Sequence, residues 1–146
     1  MGRVVSMPAK VPDNARPSAV LCLLFPMNDE LHVLLMKRKE DRTAHSGQVS
    51  FPGGRYETTD ADLKATALRE AQEEVGIVSG DVDILGALTP LYIPVSNFNV
   101  YPYVGFTQTR PEYNLSQNEV SYTIEVSLSN LLHADRKTIT DVVSPA

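Results

Sequence analysis

Cysteine is nearly absent: Cys22 is the single one in the chain. One thiol cannot make an internal disulfide, so a cystine-stapled scaffold is excluded and a reducing compartment fits. Tryptophan is missing altogether. A basic excess is missing too. Thirteen Lys and Arg stand against 18 Asp and Glu, a net charge of −5, which argues against a general nucleic-acid binder. The longest strongly apolar run, Ala19 to Pro26, is far too short to span a bilayer. Residues 1–17 hold Pro8, Pro12 and Pro17 and no apolar signal core. Eight glycines and ten prolines are too few for a low-complexity or collagen-like chain. The expectation is a cytoplasmic protein with no membrane and no nucleic acid among its partners.

What remains is ordinary globular material. The 146 residues are about one domain's worth, 42% hydrophobic and 21% charged. A chain of this size buries roughly two thirds of its unfolded surface and needs no disulfide or metal to fold. Residues 1–17 read as an irregular arm, and 18–146 as one domain. SAVLCLLF (18–25) is a continuous apolar run, as in a strand buried on both faces. LHVLLMK (31–37) is a second run, joined to the first as a hairpin with a five-residue loop, Pro26 to Glu30. A charged loop follows and ends in Pro52-Gly53-Gly54.

Residues 61–75 carry helical signals. Thr59 and Asp62 stand at capping-box spacing, and Gly76 sits where a left-handed stop is expected. Leu63, Ala67, Leu68, Ala71 and Val75 share one helical sector. Further strands are expected near 82–92, 98–107 and 121–128, then a short helix or turn at 128–133. Strands around one strong helix indicate an α/β or α+β domain.

The helix contains REAQEEVG. Glu70, Glu73 and Glu74 lie at i, i+3 and i+4, within a sector of about 100°. Glu70 and Glu74 repel each other there, and both sit in the half of the helix where the macrodipole disfavours anions. Either the face is simply solvated, or a hard divalent cation that takes oxygen ligands absorbs the cost. Arg69 can fork to a carboxylate on the same helix and orient it. Gly53-Gly54 just upstream offers bare backbone to a metal or phosphate.

FPGG followed by REAQEEVGI resembles the Nudix box, written G-x5-E-x7-R-E-U-x-E-E-x-G-U with U apolar. Gly54, Arg69, Glu70, Ala71, Glu73, Glu74, Gly76 and Ile77 match in order. The spacer between Gly and Arg is 14 residues instead of 13, and the first Glu of the box is replaced by a stretch holding Asp60, Ala61 and Asp62. The resemblance implies an α/β/α sandwich around a central mixed sheet. It also implies hydrolysis of a nucleoside diphosphate linked to another moiety, with Mg²⁺ or Mn²⁺ as cofactor. Carried over, Glu73 and Glu74 are the main metal ligands, with Glu70 and the Gly53 or Gly54 carbonyl beside them. Arg69 orients a glutamate. The base that activates water is a helix Glu or a loop carboxylate, for which Glu119 is the candidate.

A second segment, LLMKRKEDRTAHSGQVSFPGG, is similar to the signature of coenzyme A diphosphatases. Leu34, Leu35, Arg38, Gly47, Phe51, Pro52, Gly53 and Gly54 stand in register, and His45 and Gln48 also look like that subfamily. Met36, Lys39 and Thr43 depart from it, with Arg42 one residue before the expected second arginine. By this resemblance Lys37, Arg38, Arg42, His45 and Gly53 contact the substrate, coenzyme A or an acyl derivative. The products are 3′,5′-ADP and a phosphopantetheine. The alternatives are a Nudix enzyme for ADP-ribose, dinucleotides or nucleoside triphosphates, and a non-catalytic Nudix domain that binds a nucleotide or a protein. The resemblance also implies a homodimer as a common state. It further implies a closing segment after the last strand that this chain does not show, leaving an exposed apolar patch where that segment packs.

Overall fold

The computed structural model describes residues 10–40 and 47–133. One mixed sheet forms the centre. Strands β1 (Arg16–Met27) and β2 (Glu30–Arg38) make an antiparallel hairpin. The five-residue loop expected from sequence is a two-residue turn instead. Asn28 and Asp29 have φ of 54° and 63°. Paired left-handed residues of this kind match the twist of the flanking strands, so the strands run on through Pro26 and Met27. The irregular arm likewise ends earlier than expected, because Arg16 and Pro17 already pair with β7 (Phe98–Phe106).

β1 and β7 run parallel; the other strand pairs are antiparallel. β1 pairs with β2 only over Leu24–Met27, and beyond that point the two strands splay apart. The segment read as a charged loop fills the gap with two short strands. β3 (Val49–Ser50) bonds to β2, and β4 (Gly53–Arg55) bonds to β1 at Ser18–Val20. The Pro52 carbonyl accepts from Leu21 N–H at 2.8 Å. Pro52-Gly53-Gly54 therefore lies inside the sheet. β8 (Val120–Ser127) flanks β2 on its other side. The strand expected over 82–92 is two strands, β5 (Asp83–Ala87) and β6 (Leu91–Ile93), both on β7.

Side-chain alternation sorts β1 into two cores. Ala19, Leu21, Leu23 and Phe25 face helix α1 (Leu63–Val75), which buries Ala67, Ala71 and Val75 against them. Val20 and Cys22 face the other way, towards Val33, Leu35, Phe51 and Val100, where the short helix α2 (Leu128–Leu132) contributes Leu128 and Leu131. Helices on both faces make the α/β/α sandwich. The second face keeps apolar surface open: a cavity of about 490 Å³ is lined by Cys22, Leu88, Leu91 and Leu132 among others. Residues 134–146 lie outside the described residues. No helix among the described residues is long and apolar enough to cross a membrane.

The start of α1 departs from the expected capping box. Asp62 itself is the N-cap and accepts from Ala65 N–H at 2.8 Å; Thr59 takes no part. The far end is as expected. Gly76 has φ 81°, and its N–H bonds back to Gln72. The stretch before β8 completes that end. Asn114 N–H bonds to the Val75 carbonyl at 2.9 Å, and Ser116 N–H bonds to the Glu74 carbonyl at 2.9 Å. Helix carbonyls left over at the C-terminus thus find partners, and the same contact carries Glu119 to the helix.

Candidate active site

The glycines set the geometry. A Cβ on Gly53 would run into the Ala19 carbonyl oxygen, and one on Gly54 into the Glu70 carboxylate. Only bare backbone lets this strand sit so close to both β1 and α1.

Glu74 uses that closeness. Its side chain is buried; Oε1 accepts from Gly53 N–H at 2.9 Å, and Oε2 accepts from Arg38 Nη2 at 2.9 Å. The same Arg38 nitrogen donates to the Gly53 carbonyl at 3.3 Å. Burial dominates the ionisation and pushes the Glu74 carboxyl up to about 8, although Arg38 opposes it. Glu70, one turn earlier, is pushed up to about 7. Desolvation is the main cause, Glu73 and Glu119 add to it, and Arg69 opposes. Glu73 points outward, with its side chain 56% exposed, and accepts from Arg69 Nη1 at 3.1 Å.

Arg69 is held from below by a residue that sequence reading left unassigned. Asp60 takes it in a fork, Nε to Oδ1 at 2.8 Å and Nη2 to Oδ2 at 3.1 Å. Oδ2 also accepts from Thr66 Oγ1 at 2.8 Å and from Glu57 N–H at 3.0 Å. Arg69 Nη2 reaches the Arg55 carbonyl at 3.0 Å, and Nη1 stands 3.7 Å from Glu70. Arg69, more than any other cause, holds the Asp60 carboxyl well below the usual range. Asp60 lies six residues after Gly54, the place of the first Glu of the box. The extra residue of this chain falls between Asp60 and Arg69. That register was the available signal. The shorter Asp in that place still takes Arg69 in a fork.

These groups surround one cavity of about 370 Å³. Glu57, Glu70, Glu74 and Glu119 line it, with Arg16, Arg38 and Arg55 among them. The structure therefore brings Glu70, Glu74, Arg38, Gly53, Gly54 and the loop residue Glu119 together. Arg69 and Glu73 stand beside them on α1. Lys37 lies on β2 opposite Val49 and Tyr122 and does not line the cavity. Arg42 and His45 lie outside the described residues. Arg16, Ser18, Arg55, Glu57 and Phe98 also line the cavity and were missed: pairing of β1 with β7 sets Arg16 beside Phe98, and pairing of β1 with β4 sets Arg55 beside Ser18.

The donor set is all oxygen, the chemistry a hard divalent cation requires. Among the described residues no three Asp, Glu, His or Cys side chains converge on one ion-sized point. The reason is visible: Glu74 is engaged by Arg38 and Gly53, and Glu73 by Arg69. A buried carboxyl raised to about 8 and a half-buried one raised to about 7 are nevertheless desolvated in a way that a cation offsets. The oxygen donors of Glu70 and Glu74 thus suit a divalent cation, although Arg38 occupies Glu74 in this structure.

A family model described as the NUDIX domain matches residues 15–142. A relative from Enterobacter sp. (strain 638), called an uncharacterized Nudix hydrolase NudL, is 42% identical over 123 residues, 84% of this chain and 63% of the relative. Its counterpart in Escherichia coli (strain SMS-3-5 / SECEC) is 39% identical over the same shares of both chains. The chain thus spans less than two thirds of the length of these relatives. Among solved structures, a C. elegans Ap4A hydrolase binary complex superposes with a TM-score of 0.67 at 17% identity, covering 79% of this chain and 83% of that one. The NUDIX domain of Shewanella oneidensis NrtR complexed with ADP ribose gives 0.62 at 18%, covering 88% and 83%. Those two show the fold alone. With helix, glycine strand and family match in agreement, the chain belongs to the Nudix hydrolase family.

Proposed function

We propose that the chain hydrolyses the diphosphate of a nucleoside diphosphate derivative, and that coenzyme A or an acyl-coenzyme A is the substrate. The products are then 3′,5′-ADP and a phosphopantetheine. One observation carries the reading: Glu70 and Glu74 face the bare backbone of Gly53-Gly54 across a cavity that also holds arginines. The coenzyme A part of the reading rests on the segment from Leu34 to Gly54 and its likeness to the coenzyme A diphosphatase signature.

Nudix hydrolases generally use divalent metals. Here Glu70, Glu73, Glu74 and the Gly54 carbonyl would hold Mg²⁺ or Mn²⁺, which when bound neutralises diphosphate oxygens and makes phosphorus open to attack by water. The chain's own residues do the rest. Asp60 locks Arg69, and Arg69 in turn fixes Glu73 and stands beside Glu70. Arg38 holds Glu74 against Gly53 and lines the same cavity, where its guanidinium can bind a phosphate oxygen. Glu119 lines the cavity from the loop side and takes the proton from the attacking water; Glu70 is the other base in reach. The unit that carries this chemistry is a single Nudix domain beginning with β1.

The test is one substrate panel with Mg²⁺ and with Mn²⁺: coenzyme A, ADP-ribose, NADH, a diadenosine polyphosphate and dGTP. Fastest release of 3′,5′-ADP from coenzyme A is the expected result. A clear preference for ADP-ribose overturns the substrate and leaves the reaction class standing.

A further inference from the structure

The cavity has two chemically different ends. Towards α1 it presents Glu57, Glu70 and Glu74; towards the start of β1 it presents Arg16, Ser18 and Arg55. Pairing fixes their order. Gly53, which holds Glu74, lies opposite Val20, and Arg55 lies opposite Ser18. Arg16 is two residues further along β1, on the same face as Ser18.

Three observations mark the second end as built for a ligand. Ser18 is 1% exposed, and its Oγ is buried without a hydrogen-bond partner. A buried hydroxyl left unpaired costs free energy that a ligand acceptor recovers. The Arg16 guanidinium carbon sits over the Phe98 ring, 4.1 Å from its centre, and Arg16 Nη2 donates to the Ser96 carbonyl at 2.7 Å. The guanidinium is thereby held in one orientation with further donors unused. Among the described residues neither Arg16 nor Arg55 is in an ion pair, although the chain carries an acidic excess. Two arginines and a hydroxyl at one end of a cavity are donors in search of an anion.

We propose that Arg16, stacked on Phe98, and Ser18 form a subsite for a second, terminal phosphate of the substrate, set apart from the diphosphate that is cleaved. This rests on the diphosphate reading above and deepens it. A substrate carrying a phosphate monoester on its ribose fills both ends of the cavity; one without it leaves Ser18 unpaired. The cations for that phosphate come from β1 and β4, and Arg38 is left to Glu74 and the diphosphate. Arg16 and Ser18 are specificity-determining residues, and Phe98 is a positioning residue.

Binding separates the subsite from turnover. Affinities of 3′,5′-ADP and 5′-AMP are measured by titration calorimetry in EDTA, so that no metal contributes at the carboxylate end. Wild-type protein is expected to prefer 3′,5′-ADP by roughly ten- to a hundredfold, the range of one charged, forked contact. Arg16→Gln brings the ratio below threefold, Arg16→Lys restores part of it, and Ser18→Ala and Phe98→Leu each lower it several-fold. A wild-type ratio near one, or an unchanged ratio in folded Arg16→Gln protein, overturns the subsite. If the substrate panel favours ADP-ribose while the Arg16-dependent ratio holds, the coenzyme A reading fails and the subsite stands.

Discussion

Replacing Asp60 by Asn tests the least expected part of the site. Asp60 accepts four hydrogen bonds: two from Arg69, one from Thr66 and one from the Glu57 backbone. An amide keeps the shape, but it loses the charge and turns one acceptor into a donor aimed at Arg69 or Thr66. Breaking one side of a buried ion pair costs about 3–5 kcal/mol. Arg69 is 22% exposed, so water recovers part of this for the arginine; about 2–4 kcal/mol is the working figure. At about 2.1 cal/mol/K of unfolding entropy per residue, that lowers Tm by roughly 6–13 °C. The pH dependence has a definite sign. Arg69 holds the folded carboxyl well below its ordinary value, so Asp60 stabilises fully above the unfolded value of about 3.9 and loses this as pH falls further. Calorimetry of both proteins should therefore show a large Tm gap at pH 7 that begins to shrink below about pH 4. Activity should fall by roughly ten- to a hundredfold, because Arg69, which holds Glu73 and stands beside Glu70, has come loose. A Tm within 2 °C of wild type at pH 7, or a gap that grows on acidification, refutes the reasoning.

Glu73→Gln or Glu74→Gln should lower turnover on the order of 10²-fold in Mg²⁺; full activity of either in a steady-state assay rejects the metal assignment. Glu70→Gln should raise Tm in EDTA, and more at pH 8 than at pH 5. The folded carboxyl is raised to about 7, so ionising it on the way up in pH destabilises the native state; an equal gain at both values, read by scanning fluorimetry, contradicts this. Cys22, buried and pushed up to about 12, should resist a thiol-specific chromogenic reagent at pH 8 until denaturant is added; rapid native labelling counts against that burial.

Elements with a local signal are legible in the amino-acid sequence. An eight-residue apolar run of strand length fits a strand covered on both faces, and β1 is one. Alanines and Val75 on one helical sector dictate which side of α1 is buried, and Gly76 dictates where it stops. The grouping of Glu70, Glu73 and Glu74 is legible for the same reason, since helical spacing alone brings them together, with Glu74 on the buried side and Glu73 turned to solvent. What those carboxylates face is set by contacts between distant parts of the chain. Gly53-Gly54 reads as a turn until the splay of β1 from β2 draws it into the sheet, because strand pairing is a long-range choice that local propensity does not encode. Asp60 is one acid among several in a short stretch, and its grip on Arg69 arises only when the turn before α1 folds back. Arg16 and Phe98 are 82 positions apart and meet because β1 and β7 pair in parallel at one register. Spacing along one helix is fixed by bond geometry, whereas meetings between strands depend on how the whole chain buries its apolar surface.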